Sequence, residues 1–162
     1  MFNKSQLQQL YQYCVALTNH ADNAHDLLHT ALEKWLRSGR QSNSSSAYIR
    51  KIIRNQFIDD CRRKKIIAFE PLPQSVPAAL KEETLEQTVI DEDLTEQLML
   101  QLNAAEREVL YLWAVLEYTA AEIATELKSS RGTILSRLYR VKKKAQTIME
   151  ELDENIIQRG VS

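Results

Sequence analysis

Glycine and proline are scarce in this chain, three of each in 162 residues. Few positions are left for the tight turns that β-hairpins need, and the composition points to an almost wholly helical protein. Long apolar runs are missing as well, which excludes a transmembrane helix. The first residues interleave Leu7 and Leu10 with Lys4, Gln6, Gln8 and Gln9. They lack the continuous apolar core of a signal peptide, so a cytoplasmic chain without membrane insertion is expected. Cysteine stops at two, Cys14 and Cys61. Both fall on apolar helix faces, where they pack as small hydrophobes, and a reducing compartment gives no reason for a disulfide.

Catalytic vocabulary is missing too. No Ser/His/Asp or Cys/His arrangement, paired carboxylate site or glycine-rich phosphate loop occurs, so neither an enzyme nor a cofactor is expected. His25 and His29 stand at i and i+4, a spacing that can hold a metal, with His20 and Asp26 nearby. No glutamate follows His25 in the metalloprotease pattern and no third ligand has suitable spacing. They read as surface helix residues, with no metal site.

What the chain has is charge, and it is segregated. The net charge of −1 hides an excess of about six positive charges over residues 1–67, about seven negative over 68–97, about three positive over 98–149 and about three negative in the tail. Two cationic modules are joined by an acidic strap. Pro71, Pro73 and Pro77 open that strap, and Glu82, Glu83, Glu86, Asp91, Glu92 and Asp93 follow.

The sharpest pattern runs from Leu102 to Lys144. Asn103 with Glu106 and Thr119 with Glu122 read as capping boxes that open two helices. Val109, Leu110, Leu112, Trp113 and Leu116 recur at helical spacing, then Ile123, Ala124 and Leu127. Lys128, Ser129 and Ser130 interrupt for about one turn, and a third helix from Ser130 carries Ile134, Leu138, Val141, Ala145 and Ile148 as one stripe. At about 100° per residue, Gly132, Thr133, Ser136, Arg137, Tyr139 and Arg140 fall on the opposite face. From Lys128 to Lys144 the charged residues are Lys128, Arg131, Arg137, Arg140, Lys142, Lys143 and Lys144, with no acid among them. A solvated basic face on a small bundle is the plain alternative. Two capped helices, a short turn and a cationic helix are also the layout that sets a recognition helix in a major groove.

Upstream, a first helix is expected from Ser5, with Gln8 completing its capping box and Leu7, Leu10, Tyr11, Cys14, Val15 and Leu17 inward. A second, from about Asp22, carries Leu27, Leu28, Ala31, Leu32, Trp35 and Leu36 and ends at Gly39. After the polar loop Gly39 to Ser46 a third runs to about Lys65, burying Tyr48, Ile49, Ile52, Ile53, Phe57, Ile58 and Cys61, with Arg50, Lys51, Arg54, Arg62, Arg63, Lys64 and Lys65 supplying charge. Tyr48 is either core or an aromatic on which an unpaired base can stack. The fold class is all-α: two small helical domains, 1–67 and 94–162, joined by an acidic linker at 68–93, the C-terminal one a four-helix helix-turn-helix domain.

The segments LNAAEREVL, TAAEIATEL and SRGTILSRLYRVKKK resemble domain 4 of the RNA polymerase sigma factors of the extracytoplasmic function (ECF) group, in the sigma-70 family. NAHDLLHTALEKW and AYIRKIIRNQFIDDCRRKK are similar to domain 2 of the same family. The resemblance covers almost the whole chain, and it implies a protein that binds core RNA polymerase and directs initiation at promoter DNA. It assigns Asp26, Leu27, Leu28 and His29 to the polymerase contact. It gives the loop Gly39 to Ser46, with Asn43, to capture of an unstacked −10 base, and Arg54, Asn55 and Asp59 to the −10 helix, where Tyr48, Arg62 and Arg63 are further candidates for DNA contact. To the −35 element it gives Arg131, Thr133, Ser136, Arg137 and Arg140, with Lys142 and Lys143 adding positive charge. An anti-sigma factor is the further partner implied. This chain has Lys128 and Ser129 where the family usually has glycine and an aliphatic residue, Leu135 at an often basic position, His29 for a common glutamine and Tyr48 for a frequent tryptophan. An ordinary helix-turn-helix regulator and a polymerase-binding interaction protein are the rival readings.

Overall fold

The computed structural model of the chain describes residues 2–39, 45–64 and 92–160. Asn43 with its loop neighbours, Lys65 and the expected acidic linker as far as residue 91 lie outside the described residues. Seven helices make up the regular structure among the described residues, with no strand among them. The chain divides into two compact units, Met1–Glu70 and Pro71–Ser162.

The first unit holds α1 (Lys4–Thr18), α2 (Ala21–Arg37) and α3 (Ser46–Arg63), each packed on the other two. Its core is Leu10, Tyr13, Cys14 and Leu17 from α1, Ala24, Leu27, Leu28, Ala31 and Trp35 from α2, and Ile49, Ile53 and Cys61 from α3. The start of α1 differs from the sequence expectation. Asn3, not Ser5, is the cap: its Oδ1 accepts the Gln6 amide at 2.8 Å, and Gln6 Oε1 accepts the Asn3 amide at 3.0 Å. Asparagine caps as well as serine does, and the same spacing occurs two residues earlier. The inward face shifts accordingly. Tyr13 is buried, Tyr11 is half-buried and stacked on His25 with ring centroids 4.5 Å apart, and Leu7 is exposed.

Asn19 takes the left-handed conformation between α1 and α2, and its amide donates to Val15 O at 2.7 Å. Asparagine tolerates that region better than most residues. Gly39, at φ 66°, does the same after α2. Two further residues depart from expectation. Leu36 is 53% exposed, because the stripe that packs on α1 and α3 is already filled by Leu28, Ala31 and Trp35. Arg50, expected on the charged face, is buried; its stem lies one position past Ile49 on the packed side of α3.

The second unit holds α4 (Glu92–Gln101), α5 (Ala104–Ala114), α6 (Ala120–Leu127) and α7 (Arg131–Gly160). Helices α4, α5 and α6 all pack on α7. Leu98 and Leu102 meet Val141 and Ile148, with Leu110, Ala145, Met149 and Leu152 partly buried against them. Val109, Leu112, Ile123 and Ile134 are fully buried. Truncating any of these large side chains to alanine removes contacts worth roughly 2–5 kcal/mol.

Both cysteines are free and buried. Burial pushes the Cys14 thiol up to about 12. The Cys61 thiol is raised by burial and by the neighbouring Asp60 carboxylate, with Lys64 opposing. The thiolate is the reactive form, so at about pH 8 only on the order of one Cys14 in 10⁴ is a nucleophile. Iodoacetamide is expected to leave Cys14 unmodified in the native chain, to label it more readily as pH rises, and to label it fully in denaturant, as read by peptide mass spectrometry. Rapid native-state labelling at Cys14 would contradict this packing.

Candidate nucleic-acid interface

The helix-turn-helix is built from α6, the turn Lys128–Ser130 and the first turns of α7. Thr119 opens α6 with a complete capping box: its Oγ1 accepts the Glu122 amide at 3.2 Å and Glu122 Oε1 accepts the Thr119 amide at 3.2 Å. The helix closes on Lys128, which lies at φ 52° and ψ 46°, and the Ser129 amide donates to Ala124 O at 2.9 Å. That 6→1 bond and the left-handed residue before it form a Schellman ending with lysine in the place that favours glycine. Ser130 then caps α7. Its Oγ accepts the Thr133 amide at 3.1 Å and lies 2.8 Å from the Thr133 hydroxyl.

On α7 the sequence-derived face is largely outward. Arg131, Gly132, Tyr139 and Lys143 are exposed, and Thr133, Arg137, Arg140 and Lys142 are half-buried. Lys143 Nζ lies 5.5 Å from the Tyr139 ring centroid, so this cation and aromatic are held together one turn apart. Ser136 is the correction: it is 7% exposed, whereas helical plotting put it outward. A serine is short, and side chains on a helix lean toward its N-terminus, so the surface above Ser136 falls to the longer residues one turn on, Tyr139 and Arg140.

The box expected at Asn103 is half made. Asn103 Oδ1 accepts the Glu106 amide at 2.9 Å, but the Glu106 carboxylate turns to Lys144, whose Nζ lies 3.0 Å from Oε1. Lys144 is therefore occupied inside the unit, although it ends the basic run. In the same link an Arg107 guanidinium nitrogen donates to the Leu102 carbonyl, and burial lowers the pKa of Arg107.

A second polar stripe lies on α3. Tyr48, Lys51, Asn55, Asp59 and Arg62 follow one another at separations of three, four, four and three residues, which aligns them on one side of a helix. Tyr48 is half-buried and the other four are exposed. Arg54, half-buried, and exposed Arg63 flank the stripe on opposite sides. Arg63 pairs with Asp60 at 3.0 Å, a surface contact that contributes little. On α2, Asp26 and His29 are exposed, but Leu27 and Leu28 are buried in the core. This corrects the expectation that all four face a partner: consecutive helical residues point about 100° apart, and α1 and α3 cover the two leucines.

The family description Sigma-70 region 2 matches residues 4–66, and Sigma-70, region 4 matches residues 93–144. The ECF RNA polymerase sigma factor SigL of Mycobacterium tuberculosis, in each of three strains, is 25% identical over 150 residues, covering 88% of this chain and 84% of the relative. The chain belongs to the sigma-70 family, in its ECF group. Among solved structures, the sigma factor RpoE in complex with the anti-sigma factor NepR from Bartonella quintana shares its fold. That likeness has a TM-score of 0.63 at 20% identity and covers 90% of this chain and 92% of that one. Within this sigma factor, α1 to α3 fall in region 2 and the helix-turn-helix in region 4.

The turn yields a test of its own. A side chain in the left-handed region costs about 1–2 kcal/mol, and glycine avoids that cost while adding some entropy to the unfolded chain. Lys128→Gly is expected to raise the urea midpoint of the full chain, by roughly 0.5–1 kcal/mol in stability. A lowered midpoint would mean that the lysine side chain makes contacts that outweigh its backbone strain.

Proposed function

We propose that this ECF sigma factor binds core RNA polymerase and directs initiation at promoters by reading a −35 element with α7 and engaging a −10 element with the α3 stripe. The observation that carries the reading is the pairing of a capped helix-turn-helix with a cationic first half of α7, free of acid as far as Lys144, whose outward residues include Arg131, Arg137, Arg140 and Lys143. Phosphate contacts from the lysines fix register, and Arg137, Arg140 and Thr133 are the candidates for base edges. Tyr48, at the N-terminal end of the α3 stripe, supplies a ring for an unstacked base, with Asn55, Asp59, Arg54, Arg62 and Arg63 along or beside the strand path. Asn43 belongs to the same proposal through the family resemblance. Asp26 and His29 offer the polymerase a polar patch on α2. An anti-sigma factor, such as the one bound by the Bartonella neighbour, is the proposed regulator.

Run-off transcription tests the whole reading. The purified chain, added to core polymerase from a matching bacterium on genomic fragments, is expected to give discrete start sites that require it. Core binding without start sites would favour an interaction protein. Duplex binding without core binding would favour an ordinary regulator.

Two measurements test the parts. Arg137→Ala is expected to relax preference at one −35 position and cost about 1–3 kcal/mol there; an equal loss on every sequence would make it a phosphate contact. If α7 and its neighbours neutralise about five phosphates, the log–log salt slope for duplex binding is near −4.5. A salt-insensitive complex would remove duplex DNA from the account.

A further inference from the structure

We infer that Lys144 is a positioning residue for the DNA-reading helix and makes no phosphate contact: with Glu106 it locks α7 in register on the α4–α5 link. The inference rests on the −35 role of α7 given above.

The lock is a three-helix junction. Lys144 Nζ donates to Glu106 Oε1 at 3.0 Å and to Gln101 O at 3.1 Å, partners 38 and 43 residues away in the chain. Gln101 ends α4 and Glu106 lies in the first turn of α5. The ammonium therefore meets the negative end of one helix dipole, and the carboxylate sits at the positive end of the next. The Glu106 side chain is 3% exposed and that of Lys144 is 35% exposed. The other oxygen of Glu106, Oε2, is buried without a hydrogen-bond partner. A carboxylate so desolvated depends on the cation bonded to it, and removing that cation leaves an uncompensated buried charge.

Position on the helix makes this a lock and not a generic tie. Lys144 follows Val141 by three residues and precedes Ile148 by four, so it borders the buried stripe, while Lys143 plots near the opposite side. Turning α7 by one residue would swing the ammonium by about 100° and break both bonds. Arg140 and Arg137 stand about one and two turns back on the same rigid helix. Whatever fixes Lys144 fixes the angle at which those arginines leave the unit.

The test compares four full-length variants, Lys143→Gln, Lys144→Gln, Glu106→Gln and the double variant Lys144→Gln/Glu106→Gln. The probes are a short duplex that the unaltered chain selects from a random-sequence pool and poly(dI-dC) as non-selected duplex. Lys143→Gln is expected to weaken both probes alike and to lower the salt slope by about one. Lys144→Gln and Glu106→Gln are expected to keep the slope and to lose about tenfold in preference for the selected duplex, a scale set by the worth of one base contact. The double variant is expected to lose no more than the worse single one. A Lys144→Gln slope reduced by about one, with Glu106→Gln binding normally, would overturn the inference.

A second measurement needs no DNA. In the free chain, with far-UV dichroism unchanged, Glu106→Gln is expected to speed amide hydrogen exchange in the α7 segment from Ile134 to Val141 by about tenfold, because the helix is released from its frame. Unchanged exchange there would overturn the lock whatever the binding assays give. If the unaltered chain selected no duplex, the −35 reading would fall, and hydrogen exchange would still decide whether Glu106 and Lys144 hold the helix.

Discussion

A single apolar stripe on one long helix sets the architecture of the second unit. Helix α7 is 30 residues long, and Ile134, Val141 and Ile148 are nearly or fully removed from water along it. Such a stripe cannot be left bare, since each buried aliphatic side chain is worth about 1.5–3 kcal/mol against exposure. Three shorter helices, α4, α5 and α6, cover it in turn. Covering one side of a helix leaves the other side for something else, and on α7 that other side is cationic as far as Lys144. The packing constraint and the functional face are thus two views of the same periodicity.

The first unit solves a related problem with three helices of similar length. Its polar stripe on α3 exists because Ile49, Ile53 and Cys61 take the inward positions of that helix. The core also fixes what α2 can present. With Leu27 and Leu28 turned inward, the α2 surface proposed for the polymerase presents Asp26 and His29, groups that would select a partner by hydrogen bonds and charge more than by apolar area.

Much of this was legible in the sequence because helices declare themselves locally. The Thr119 and Glu122 box, the Gly39 ending and the Ile134-Val141-Ile148 spacing each depend on residues within a turn or two of one another. What was not legible required knowledge of neighbours. Asn3 and Ser5 compete for one cap, and only the formed helix shows which wins. Leu36 and Arg50 have their surroundings decided by two other helices. Glu106 sits at the right spacing for a capping box, yet a buried carboxylate finds a stronger partner in a distant ammonium than in the amide of Asn103. Lys144 looked like one more charge in a basic run for the same reason. Periodicity places it beside the buried stripe, but no local rule says that a carboxylate waits there.

Ser136, turned under its neighbours, carries a consequence for how long a message this helix is able to read. Its removal from the outer face leaves Thr133, Arg137 and Arg140 as the proposed base-reading positions, spaced four and three residues apart, so the contacts they would make are separated by about 6 and 4.5 Å of helix rise. A base-pair step is about 3.4 Å. The reach from first to last is therefore about three base pairs, with gaps between the letters. An alphabet that sparse favours short, tolerant target sequences, and a second contact elsewhere on the same DNA then supplies the discrimination that one helix does not.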